Sequence, residues 1–431
     1  MNFDLDYVSG YRSLREFERK GDSYLGIVIK RFDDIAYTYR TKVTSDIDES
    51  YFYVKKIILT LIWMVGGNEV VIVGNRSIYD RLYSTKDIEL SNSFKGLETV
   101  FKVPFKLSYS DVDIEEKELC IPVSGAYEGE RIGFDAGGSD RKVTATKDGK
   151  VVYSEEVLWL PKEASDWLYH REGIVDSLKR AAAHLDNVDA VGVSSAGIII
   201  DDEVAQSNLF LKVDEGEQSK HVRTIFQDIV KELFGDIPLK VSNDGDVTAL
   251  GGEMFYHKDH ILGLAMGTSE AAGYSKEKSF NGWINELGKV PIDYGEKAIA
   301  HYATGIKGSG SEYLSQKGII RLAEKAGFKY EGSLAERLVK IQKESDPAIF
   351  KAYEDLGVYL ADAIALYSKF LDIRSVLLLG RVMSGLGGER LLASTKNALK
   401  EMAFDIDVFS ADEDFKRLGQ SYTAAALPKI V

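Results

Sequence analysis

The sequence predicts an α/β architecture of two consecutive layered lobes preceded by a smaller α/β unit, and three observations predict it. From about residue 130 onward, apolar runs of strand length alternate with segments whose apolar residues recur at helical spacing, the order expected of sheets covered by helices. Two of those strands run into turns built of glycine and hydroxyl residues, Gly137-Gly138-Ser139 and Gly267-Thr268-Ser269, so the theme occurs twice. Before residue 129 the chain reads as a hairpin, an apolar helix and a short buried strand. The expected division is 1–128, 129–240 and 241–431, with the last helix able to return to the first lobe.

In the first of these segments, two β-runs cover about 24–43 around the Asp33-Asp34 turn. A helix follows from about Glu49 to Met64, stopped by Gly66-Gly67 in the manner of a helix C-terminus. A short buried strand (69–74), a short helix (77–83) and irregular strands across 94–127 complete it. Its hairpin has no glycine cradle, so the unit is expected to be structural or an interface for a partner or a second copy.

From Arg131 a hairpin runs to Tyr153, and Trp159 and Trp167 follow as core or interface residues in preference to sugar-stacking rings. A helix over 173–185 brings Ile174, Leu178, Ala181, Ala182 and Leu185 to one face. The strand 190–194 ends in Ser195-Ala196-Gly197, and a second helix covers 219–234. The strand 239–242 then ends in Asn243-Asp244-Gly245-Asp246. From there a helix is expected to start near Val247, capped by Asp244 or Asp246. An apolar strand (261–266) leads into the second glycine turn, a long amphipathic helix spans 347–370, and the strand 375–379 is closed by Gly380. A glycine-rich turn at 385–388 opens a helix, and a small-residue helix (419–427) ends the chain.

Composition excludes several classes. The net charge is −14 and no dense Lys/Arg block occurs, which disfavours a nucleic-acid partner. The single cysteine, Cys120, cannot form an intrachain disulfide, and Cys/His zinc spacing is absent. Met1 to Asp6 has neither a basic start nor an apolar core, and the most apolar run, 51–65, contains Lys55 and Lys56 and is too short to span a bilayer. A cytoplasmic protein without a membrane partner is therefore expected.

The first glycine turn suggests chemistry. Gly137 and Gly138 lack a Cβ, so backbone N–H groups there can face an anion, while Asp135 beside them can hold Mg²⁺ directly or through water. An ordinary hairpin turn has a similar composition, but the second turn downstream strengthens the phosphate reading. Two such turns with a strand-end carboxylate between them in sequence suit phosphoryl transfer, where catalysis is mainly positioning and charge stabilisation.

From about residue 130 to the end, these motifs resemble the ROK (repressor, open reading frame, kinase) group of the hexokinase/actin-like ATPase superfamily. Asp135-Ala136-Gly137-Gly138-Ser139 is similar to the group's first phosphate motif, with Ser in place of Thr. Asn243-Asp244 followed by Ala249-Leu250-Gly251-Gly252-Glu253 resembles the stretch whose Asp is the catalytic base. Gly267-Thr268-Ser269 resembles the second phosphate motif, and Leu379-Gly380 the adenosine-side strand end, with Arg381 where a second Gly is usual. The resemblance implies two actin-like, ribonuclease H-like lobes with a cleft, ATP and Mg²⁺ as cofactors, a sugar or polyol substrate, and a homodimer. It implies Asp244 as general base, Gly137, Gly138, Ser139, Gly267, Thr268, Ser269 and Gly380 as nucleotide ligands, and Asn208, Asn243 and Glu286 as sugar ligands. Amides and a carboxylate suit a polyol because each hydroxyl both donates and accepts.

Departures from the pattern are as informative. Asn285-Glu286-Leu287-Gly288-Lys289 keeps the group's sugar-binding Glu but has Lys289 where a His is usual, and Lys289 reads as a surface residue. Thr304 to Ser311 stands where the group's zinc motif lies and has no cysteine, so no zinc site is expected. Glu270 replaces a small residue, and a carboxylate beside phosphates repels them unless paired. Two readings follow: an ATP- and Mg²⁺-dependent kinase acting on a sugar or polyol hydroxyl, or a catalytically weak or inactive sensor that binds sugar or nucleotide.

Overall fold

The computed structural model describes residues 6–33 and 35–430; the residues before Asp6, read above for a leader, and Asp34 of the Asp-Asp turn lie outside the described residues. The chain forms two compact units. The first comprises Met1–Leu119, Ala265–Ala272 and Gly282–Ser410, and the second Cys120–Leu264, Gly273–Asn281 and Ala411–Val431.

The second unit is built on a five-stranded sheet in the order Leu239–Asn243, Ala190–Ser195, Glu130–Ala136, Asp140–Lys147, Lys150–Leu158. The first three strands are parallel neighbours and the last two are added as antiparallel hairpins. Asp148 and Gly149 both have positive φ (48° and 79°), the conformation that lets a two-residue turn follow the twist of its strands. Ile132, Phe134 and Val143 from the sheet meet Ile174, Leu178, Phe226 and Ile229 from the helices Trp167–Ala182 and Ile225–Phe234 in one core.

The chain's last helix, Gln420–Ala425, lies directly on the strands 130–136, 140–147 and 190–195. A Cβ at Gly133 would stand 1.8 Å from the Ser421 carbonyl oxygen, and one at Gly192 1.7 Å from that of Ala424, so only glycines allow this approach. Buried Arg131 then donates to the carbonyls of Ala425 and Pro428, satisfying groups that the short helix leaves open.

Three boundaries differ from expectation for local reasons. The helix expected from 173 begins at Trp167 because the Asp166 side chain accepts from Leu168 N. The segment expected as one helix over 219–234 winds first as a π turn, Gln218–Val222, before its α-helix starts at Ile225. The helix expected from Val247 begins at Asp244, and its cap is Asn243, whose side chain accepts from Gly245 N.

In the first unit, a four-stranded sheet has the order Ala36–Val43, Ser23–Lys30, Glu69–Val73, Lys106–Ser110. The helix Ile47–Met64 is capped by Asp46, which accepts from Asp48 N and Glu49 N. Replacing Asp46 by Ala removes both acceptors and is expected to cost about 1 kcal/mol, read as a lowered unfolding midpoint. The stretch expected as irregular strands contains instead the helix Ile88–Phe101. Leu90, Ser93, Leu97, Val100 and Phe101 are buried at helical spacing, but Gly96 and two serines obscure the pattern in the sequence. A helix over Gly10–Lys20, capped by Ser9, also went unread.

The C-terminal end of the 47–64 helix meets a distant part of the chain. Ile284, Asn285 and Glu286 donate their backbone N–H groups to the carbonyls of Val65, Met64 and Trp63 at 3.2, 2.9 and 2.9 Å. Those carbonyls are among the groups a helix cannot satisfy internally. The segment carrying Glu286 is thus fixed by the N-terminal residues of the same unit. No helix among the described residues is long and apolar enough to cross a membrane.

Candidate functional site

In the second unit, the strand 130–136 delivers Asp135 to its carboxyl end, 5% exposed. Ser194, on the neighbouring parallel strand, donates to Asp135 Oδ1 at 2.8 Å, and the hairpin register sets Lys142 opposite it. Burial pushes the Asp135 carboxyl up to about 7; Ser194 and Lys142 pull against this, while the charges of Asp244 and Asp140 add to it. Asp244 and Asp140 thus lie within electrostatic reach of Asp135, and a divalent cation would relieve the repulsion among the three.

The turn at 137–139 follows at once. A Cβ at Gly137 would come 2.8 Å from the Asp140 carbonyl oxygen, so the turn is as tight as its composition suggests. Exposed Ser139 donates through Oγ to Asp140 Oδ2, and its carbonyl accepts from Trp159 N. Trp159 itself is buried, and Trp167 stacks on His221 at 4.1 Å, so both tryptophans serve packing.

Asn243 has a structural task as well as its expected one: its Oδ1 caps the 244–256 helix and its Nδ2 donates to the Gly197 carbonyl at 2.6 Å. Gly197 has φ +120°, and a Cβ there would strike the Gln206 carbonyl oxygen at 2.4 Å, which ties the Ser195–Gly197 turn to the segment before Asn208. Asn208 is exposed at the start of the turn Asn208–Phe210. With Asn243 as cap, Asp244 sits in the first helical turn, where the helix dipole favours its ionised form.

In the first unit, Gly267 N donates to the Ser269 carbonyl at 3.1 Å and the Gly267 carbonyl accepts from Gln316 N. Thr268 is the apex of this turn. Gly380, φ +96°, lies against the strand end before it: a Cβ would come 2.3 Å from the Met266 carbonyl oxygen. The structure therefore brings Gly267–Ser269 and Gly380 together.

The repulsion expected from Glu270 is corrected by its direction. Its side chain, 6% exposed, turns toward Tyr367, whose hydroxyl donates to Oε1 at 3.2 Å, and toward Gly310, where a Cβ would meet Oε2 at 2.1 Å. Burial pushes its carboxyl up to about 8, so it is largely neutral at pH 7. An uncharged acid facing the interior does not repel a phosphate.

Lys289 is likewise not the surface lysine expected. Its ammonium is 3.1 Å from Glu286 Oε2 and 4.0 Å from the centre of the Trp63 ring. His301, unread in the sequence, lies near this pair: it is buried, its Nδ1 meets Thr304 Oγ1 at 3.1 Å, and burial with Lys289 lowers it to about 4. Glu312 and Lys317, themselves paired at 2.6 Å, also act on it. Glu286, Lys289, His301, Glu312 and Lys317 thus form a polar cluster whose mixed donors and acceptors suit hydroxyl groups. The signal available for His301 was its place beside the Thr304–Ser311 stretch already singled out.

The ROK family model matches residues 131–408, and the segment before residue 131 lies outside it. No curated protein matches the sequence. Among solved structures, a ROK hexokinase from Thermus thermophilus is 17% identical, with TM-score 0.54, covering 69% of this chain and 98% of that one. A ROK family glucokinase from Streptomyces griseus, in complex with glucose and AMPPNP, is 20% identical, with TM-score 0.50 and coverage of 69% and 98%. A ROK family transcriptional regulator, homolog of the E. coli MLC protein, is 17% identical, with TM-score 0.54 and coverage of 69% and 78%. These likenesses show the hexokinase-type, actin-like α/β fold, shared by sugar kinases and a regulator. With well over half of its length matched, the chain belongs to the ROK family.

Proposed function

We propose that this protein is an ATP- and Mg²⁺-dependent kinase that phosphorylates a hydroxyl of a sugar or related polyol. The observation that carries the reading is the pair of Asp135 and Asp244: one carboxylate is buried at a strand end beside a glycine turn, and the other, relieved of capping by Asn243, is within its electrostatic reach. Asp244 accepts the hydroxyl proton as the sugar oxygen bonds to the γ-phosphorus and the bond from that phosphorus to the ADP oxygen breaks. Asp135, an oxygen ligand of the kind a hard cation prefers, would hold Mg²⁺, which when bound neutralises phosphate charge.

Gly137, Gly138, Ser139, Gly267, Thr268 and Ser269 serve as phosphate ligands, Gly380 leaves room on the adenosine side, and Asn208, Asn243 and Glu286 bind the sugar. Complexes of the two kinase neighbours' class support the donor and acceptor types, one having been solved with glucose and AMPPNP. The test is phosphate transfer from ATP across hexoses, amino sugars and polyols. Turnover of at least one compound is expected, and none phosphorylated anywhere in the panel would sink the proposal.

One observation favours a second reading, a binding sensor without catalysis: Lys289 occupies Glu286, so a sugar must displace an ion pair to reach that carboxylate. Saturable sugar binding in calorimetry with no phosphorylated product would select it.

A further inference from the structure

Beside the first glycine turn stands a cation that neither fold nor core requires. A Cβ built on Gly138 would lie 3.0 Å from both Cε and Nζ of Lys162, so this side chain lies across the turn. Lys162 belongs to a short turn, Pro161–Glu163, whose position is fixed: Pro161 is buried and its carbonyl meets His170 Nε2 at 3.1 Å. Two residues before that turn, Trp159 N donates to the Ser139 carbonyl at 3.1 Å. The backbone carrying Lys162 and the glycine turn are therefore one cross-linked piece.

The nearby carboxylates are already engaged. Asp140 pairs with Lys142 at 3.7 Å and Glu163 with Lys212 at 2.7 Å. Among the described residues Lys162 makes no ion pair, although the chain carries a net charge of −14. An exposed lysine without a partner ordinarily keeps its rotamer freedom in water. Here an ammonium and a glycine turn able to present N–H groups converge, and donors gathered in one place need an anion to reconcile them.

We propose that Lys162 is a ligand of the transferring phosphoryl group, its ammonium closing over the phosphate held at Gly137–Ser139. This rests on the kinase reading, since it assigns that turn to the γ-phosphate. The ammonium offsets the charge carried by the phosphoryl oxygens while Asp244 takes the substrate proton.

The experiment compares the full-length protein with Lys162→Gln, which removes the charge, and Lys162→Arg, which keeps it. Kinetics on a sugar that is turned over are paired with calorimetric titration of ATP and ADP in Mg²⁺. The Gln variant is expected to lose about 10- to 100-fold in kcat/KM for ATP and to weaken ATP binding more than ADP binding. The sugar KM and the unfolding midpoint stay unchanged, and Arg restores most of the loss. A Gln variant that binds ATP and ADP as the parent does overturns the proposal. A parent that binds ATP in a Lys162-dependent way but phosphorylates nothing upholds it while removing the kinase reading, and a parent that binds no nucleotide removes both.

Discussion

Asp244→Asn is expected to lower kcat for sugar phosphorylation by about 10³-fold while leaving nucleotide binding and the unfolding midpoint near those of the parent. The magnitude is that of losing a positioned general base. The unchanged stability follows from the division of labour at the helix start: Asn243 supplies the cap, so the amide at 244 disturbs no helix terminus. The variant keeps an acceptor near Gly245 N, where Asp244 Oδ1 now sits at 3.0 Å. Steady-state kinetics with calorimetric ATP titration check both halves. Retained turnover would remove Asp244 from the chemistry, and a large fall in the unfolding midpoint would assign it to structure.

Glu270→Gln is expected to change the pH dependence of stability. The folded protein raises this carboxyl to about 8 from its ordinary 4.5, so the folded state holds a proton that the unfolded chain releases. Stability from this group is therefore complete below pH 4.5, declines as pH rises, and levels off above about 8. The span implied is on the order of 3 kcal/mol, large because a buried carboxylate is poorly solvated. Gln matches the neutral acid in shape and can still accept from Tyr367, so the variant loses this decline. Thermal unfolding from pH 5 to pH 9 should show the parent's midpoint falling several degrees more than the variant's. Parallel curves would mean that Glu270 stays ionised.

Much of the fold could be read because its signals are local. Strand 130–136, its glycine turn and Asp135 follow from an apolar run meeting residues without a Cβ, and the five-stranded sheet places them as adjacency in the chain suggests. Asn243-Asp244 was placed at a helix start for the same reason, although which residue caps depended on geometry finer than spacing. What could not be read depends on distant partners. The direction of Glu270 is set by Tyr367 and Gly310, and the burial of Lys289 by Trp63. Nothing within ten residues of either announces those neighbours. The 88–101 helix was hidden differently: its spacing is helical, but Gly96 and the serines lower its propensity, and packing overrides that deficit, with Gly96 allowing Trp63 to come close.

The three hydrogen bonds from Ile284, Asn285 and Glu286 to the end of the 47–64 helix make the segment outside the family match a dependency and not an ornament. A shortened protein beginning near residue 130 would retain the matched sequence yet leave those amides and Lys289 without their counterparts. Whatever loosens the amino-terminal residues also loosens the loop that presents Glu286, so strain applied at one end of the chain is felt where a polyol would be gripped.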